Sequence, residues 1–98
     1  MMERLIIRMG LGTGETAQEA AEAGLRDAMG RAVVHASHEG GVLRVTVGVP
    51  EAEGVSEPAL VAVLGQSAEV TCRTGGLSVG GRFVATVALE LFVPTNAA

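Results

Sequence analysis

Between residues 17 and 33, small and apolar residues recur at three- and four-residue steps: Ala17, Ala20, Ala21, Gly24, Leu25, Ala28, Met29, Ala32 and Val33. On a helix these fall on one face, and Glu22 with Arg26 and Asp27 with Arg31 form i,i+4 pairs on the exposed side. An Ala/Gly face has little side chain to hold a neighbour away, so such a helix lies close against a sheet. Thr16-Ala17-Gln18-Glu19 fits a capping box at its start. Gly40-Gly41 is read as its end.

The rest of the chain supplies strands. Leu5, Ile7 and Met9 alternate with Arg4, Ile6 and Arg8, which predicts a first strand with the former set facing the core. Gly10-Leu11-Gly12-Thr13-Gly14 reads as a loop between that strand and the helix. Leu43, Val45, Val47 and Val49 alternate with Arg44, Thr46 and Gly48 in a second strand stopped by Pro50. Ser56-Glu57-Pro58 opens a short second helix carrying Leu60, Val61, Val63 and Leu64. Val70 and Cys72 mark a third strand, residues 74–81 are turn-rich, and a long last strand turns Phe83, Ala85, Val87, Leu89, Leu91 and Val93 inward. The predicted class is α+β in the order β-α-β-α-β-β, with one mixed four-stranded sheet and, from right-handed crossovers, both helices on one face. Residues 1–98 form a single domain, in line with about 100 to 200 residues per domain. Residues 1–3 and 94–98 are expected to be flexible.

The second sheet face would then carry Ile6, Arg8, Arg44, Thr46, Thr71, Arg73, Val84, Thr86, Ala88 and Phe92. It is too apolar for plain solvent and too polar for a core, a mixture that suits a symmetric subunit interface. The alternative is an ordinary half-wet sheet face.

Composition removes whole classes of function. The formal charge is -4, which argues against nucleic acid or an anionic membrane as partner. All seven basic residues are arginine, so lysine Schiff bases, Ser-Lys dyads and a phosphate-loop lysine are excluded within this chain. What remains is a set of planar guanidinium forks suited to carboxylate or phosphate. Asp27 is the only aspartate. The one cysteine forbids an internal disulfide and favours a reducing compartment. The start lacks an apolar stretch of signal-peptide length, and the longest apolar run, Ala59 to Leu64, is far short of the roughly 20 residues of a membrane span. A cytoplasmic location is expected.

Gly10-Leu11-Gly12, Gln18, the stretch Val45-Thr46-Val47-Gly48-Val49-Pro50-Glu51 and Gly75-Gly76-Leu77 resemble a small uncharacterised family of bacteria and plants. That family carries an N-terminal G-x-G-x-D-x-H-G signature. In this chain Gly14 stands at the Asp position, and Thr16 and Ala17 stand at the His-Gly. The resemblance therefore implies a divergent branch, or a non-catalytic paralogue that pairs with a complete chain. The element order is also similar to the chorismate-mutase-like trimer fold, shared with small enamine deaminases and with ring-opening cyclic amide hydrolases. A local likeness to bacterial chorismate mutase lies at Val70-Thr71-Cys72, Gly75-Gly76-Leu77 and Arg8. It implies sheets turned inward in a homotrimer, with ligand sites at subunit junctions and arginines holding carboxylates.

The candidate ligand-binding residues follow. Gly10 and Gly12 either place helix amides around an anion, with Arg8 beside them, or serve a tight turn. The loop lacks the dinucleotide fingerprint. Arg8, Arg44 and Arg73 share the predicted second face and either converge on a carboxylate or phosphate or form structural ion pairs with Glu69 or Glu90. Arg82 has the same facing at a strand start, and Gly75 and Gly76 adjoin Arg73. Cys72 reads as a small buried hydrophobe. His35, His38 and Glu39 have a spacing compatible with a metal but too few ligands, so no metal site and no cofactor are expected. The leading expectation is a homotrimer, or a mixed assembly with a paralogous chain, that binds a small anionic metabolite. The alternative is a cofactor-free isomerase or deaminase in which Arg8 and Arg73 orient a small carboxylate and Glu69 or Glu90 stabilises charge or moves a proton.

Overall fold

The computed structural model describes residues 2–30 and 41–94. His35, His38, Glu39, Arg31, Ala32, Val33 and Gly40 lie outside the described residues. The fold is α+β: β1 (Met2–Gly14), α1 (Ala17–Met29), β2 (Val42–Gly48), a 3-10 turn (Ala52–Gly54), α2 (Glu57–Leu64), β3 (Glu69–Arg73), β4 (Leu77–Val79) and β5 (Arg82–Pro94).

The sheet is mixed, in the order β1-β5-β2-β3. β5 returns antiparallel between β1 and β2, while β2 and β3 lie parallel and are joined through α2. β4, three residues in the stretch read as turn-rich, pairs with the start of β5, so the sheet has five strands rather than four. Met2 and Glu3, expected to be loose, pair with Pro94 and Val93.

Both helices cover one face. Leu43, Val45 and Val47 of β2 and Ala85, Val87, Leu89 and Leu91 of β5 meet the α1 residues Ala20, Ala21, Leu25 and Ala28, with Leu60 and Leu64 of α2 in the same cluster. The period-two patterning of β2 and β5 therefore reads correctly. The helix starts are capped as expected. Thr16 Oγ1 accepts from Glu19 N–H at 3.1 Å and Ser56 Oγ from Ala59 N–H at 3.3 Å. The Glu19 carboxylate reaches back one residue further than a capping box requires, accepting from Glu15 N–H at 3.0 Å. α1 ends at Met29, where Gly30 takes φ 60° and donates to the Arg26 carbonyl at 3.0 Å.

Two expectations about β1 are overturned. Gly10–Gly14 is strand, not loop, and its residues pair with Val87 through Phe83 of β5. The facing of the strand is also reversed: Ile7 and Met9 are 47 % and 67 % exposed on the outer face, while Arg8 and the buried Gly10 and Gly12 face the helix. The cause is steric. A Cβ on Gly12 would run into Gly24 N and the Ala20 carbonyl, and one on Gly10 into Ala28 N and the Gly24 carbonyl. α1 lies so near β1 that only hydrogen atoms fit between the backbones. The glycines choose the inner face and the alternating apolar residues turn outward.

Candidate functional site

The carboxyl ends of parallel β2 and β3 meet on the outer face, the position where open sheets with crossovers leave room for ligands. Arg73, the last residue of β3, stands in register with Gly48, the last of β2. Two backbone bonds tie the chain there: Val49 N–H donates to the Arg73 carbonyl at 3.1 Å and Gly75 N–H to the Val49 carbonyl at 3.3 Å. Gly76 has φ 63°, and a Cβ on it would strike the Val84 carbonyl. The Thr86 hydroxyl donates to the Gly48 carbonyl at 3.5 Å. Gly48, Gly75 and Gly76 thus make a tightly packed backbone shelf beside an arginine. Arg73 is exposed and has no hydrogen bond or ion pair among the described residues.

The other arginines do not converge on it. Arg8 reaches the end of α1 on the opposite side of the sheet and donates to the Met29 carbonyl at 3.4 Å, satisfying a terminal helix carbonyl. Its expected place on the second face, beside Arg44 and Arg73, is therefore corrected. Arg44 does lie on the outer face, but four residues from Gly48, about 13 Å along the strand. It contacts Glu69 at 3.4 Å and lies over the Phe92 ring at 4.7 Å. Arg4 pairs with Glu90 at 3.3 Å. Both glutamates weighed as partners for arginines are therefore in such pairs. Gly10 and Gly12 sit against α1 and offer no loop amides. Of the residues singled out from sequence, the structure gathers Arg73, Gly75 and Gly76 into one place.

Cys72 faces inward, half-buried, and packs against the core. Burial, and after it the nearby Glu57 carboxylate, push its thiol above the ordinary value. That is the opposite of what an activated nucleophile needs. Among the described residues no group of three His, Cys, Asp or Glu side chains could hold a metal ion.

Three features escaped the sequence reading. Ile7, Met9 and Leu11, the last 63 % exposed, form an apolar strip on the outer face of β1. Leu77 and Val79 on β4 are 62 % and 61 % exposed on the same outer face. A cleft of about 540 Å³ between the start of α1 and the 3-10 turn is lined by Glu15, Glu51, Glu53 and Phe83. Its three carboxylates make it hostile to anions, and it lies apart from the arginine shelf. The alternation of glycine with Met9, Leu11 and Thr13 was the available signal for the strip.

The fold defines a class: a one-layer mixed α+β sheet with both helices on one side. No family model matches the chain, and no curated protein matches it. Among solved structures it is similar to an FtsZ-like protein of unknown function from Nostoc punctiforme, with a TM-score of 0.80 and 24 % identity over 96 % of this chain and 98 % of that one. The two share a fold. No helix among the described residues is long and apolar enough to cross a membrane.

Proposed function

We propose that the protein is a subunit of a cytoplasmic homotrimer in which the outer sheet faces turn toward one another, and that a small carboxylate or phosphate binds at each subunit junction. The observation that carries this reading is the composition of the outer face. One side of the sheet is covered by helices, while the other leaves Ile7, Met9, Leu11, Leu77 and Val79 between 47 % and 67 % exposed. Clustered apolar surface of this kind marks an interaction site. The element order and single helical layer support the chorismate-mutase-like arrangement expected from the sequence. Arg73 is the anion's partner, because its fork has no hydrogen bond or ion pair among the described residues and glycine backbone lies beside it.

Native mass spectrometry of the purified chain, with a denatured control, tests the assembly: a mass of three chains is expected. Arg73→Ala should keep that mass and lose affinity for small carboxylates and inorganic phosphate in calorimetric titration. A single-chain species at micromolar concentration would sink the trimer, and an unchanged titration would sink the role of Arg73.

A further inference from the structure

The outer face carries two apolar patches bordered by different charge. The first is the β1 strip, bordered by a groove of about 330 Å³ between Met9, Leu11, Asp27 and Thr86. β1 is an edge strand, and Asp27 of α1 reaches over to accept from Leu11 N–H at 2.9 Å. This patch is concave and bordered by negative charge. The second is the β4–β5 hairpin arm. Its outer side presents Leu77 and Val79, with Arg82 opposite Val79 in the pairing. Arg82 is exposed and has no hydrogen bond or ion pair among the described residues. This patch is bordered by positive charge.

We infer that the arm of one copy docks on the β1 strip of the next, with Leu77 and Val79 against Met9 and Leu11 and Arg82 near Asp27. The inference rests on the assembly reading above and says which surfaces meet. The charges and the needs of ring closure favour this pairing over like meeting like, and the pitch of the strands permits it. Residues two apart on a strand repeat at about 6.6 Å, so the Leu77/Val79 pair matches the Met9/Leu11 pair in pitch. Strip on strip would bring Asp27 to Asp27, and arm on arm Arg82 to Arg82, whereas strip on arm sets opposite charges together. A closed ring of three needs this kind of contact, since each subunit must offer two different surfaces.

The test uses two full-length variants, Leu11→Asp and Leu77→Asp, both at exposed positions, checked for folding by circular dichroism. Met9→Asp and Val79→Asp replace either one that fails to fold. By sedimentation velocity at a concentration where the natural chain is assembled, each variant alone should be monomeric. An equimolar mixture should regain a two-chain species, because the intact arm of Leu11→Asp can meet the intact strip of Leu77→Asp. A mixture that stays monomeric would overturn the pairing, as would variants that assemble like the natural chain; in both cases the assembly itself stands. A natural chain that is monomeric at every micromolar concentration would end both readings.

Discussion

At the scale of single residues, α1 rests on β1 through glycines, where an added Cβ would meet backbone. Gly12 of β1 faces Gly24 of α1, and a Cβ on Gly24 would lie 2.8 Å from Val87 Cγ2. Gly12→Ala must push backbone against backbone, which has no rotamer to yield. Overpacking of this kind costs about 1–3 kcal/mol, and the upper end is expected here. In a domain of this size each kcal/mol moves the melting point by about 4–8 °C, so a fall of more than ~10 °C is expected in a thermal melt. Gly54→Ala is the control: nothing lies within 4 Å of its added Cβ, and its melting point should hold or rise slightly. Cys72 makes a second prediction. A raised thiol pKa leaves less thiolate at a given pH, so Cys72 in the folded chain should react with iodoacetamide more slowly than in the unfolded chain at neutral pH. The folded-chain rate should keep climbing at pH values where the unfolded thiol has already saturated. Glu57→Gln removes the lesser cause and should speed the reaction modestly. A folded rate equal to the unfolded rate across the pH range would contradict the assigned environment.

At the scale of elements, Gln18 joins the two helices. Its Oε1 accepts from Ser56 N–H, the N-cap of α2, at 2.6 Å, while its Nε2 donates to Glu22 at 2.8 Å. Gln18→Ala leaves the Ser56 amide without its protein acceptor. The expected loss is about 1 kcal/mol, together with faster exchange of that amide in a hydrogen-exchange experiment. A variant with natural stability and natural Ser56 exchange would show that the helices hold without this brace. Element order, both helix starts and the facing of β2 and β5 were readable from sequence because they depend on local pattern: an alternating apolar run or a hydroxyl before a helix. β1 was not. Its facing is decided by α1, and a rule that turns apolar residues inward fails where the neighbouring backbone leaves room only for glycine. The same reversal carried Arg8 to the helix end and broke up the expected arginine cluster. Arg44 and Arg73 share a face as read, but their spacing along the sheet keeps them apart. β4 escaped because three residues are too short to show an alternation.

At the scale of the molecule, the question is what force would hold copies together. Each chain carries a formal charge of -4, so like-charged copies repel at long range. The paired surfaces offer one opposite-charge contact at their margin, worth at most about 1 kcal/mol when exposed. Burial of Ile7, Met9, Leu11, Leu77 and Val79 must therefore dominate. Apolar burial loses strength on cooling, because its driving force near room temperature is entropic and carries a large heat-capacity change. Hydrogen-bonded or ionic interfaces, whose association is exothermic, tighten on cooling instead. The assembled fraction, measured by sedimentation velocity near the midpoint concentration, should accordingly fall when the sample is cooled from room temperature to just above freezing. The association enthalpy measured by dilution calorimetry should become more negative as temperature rises, the sign of apolar surface leaving water. An assembly that tightens in the cold with no heat-capacity change would mean that polar contacts hold it, and that the apolar outer face lies outside the interface.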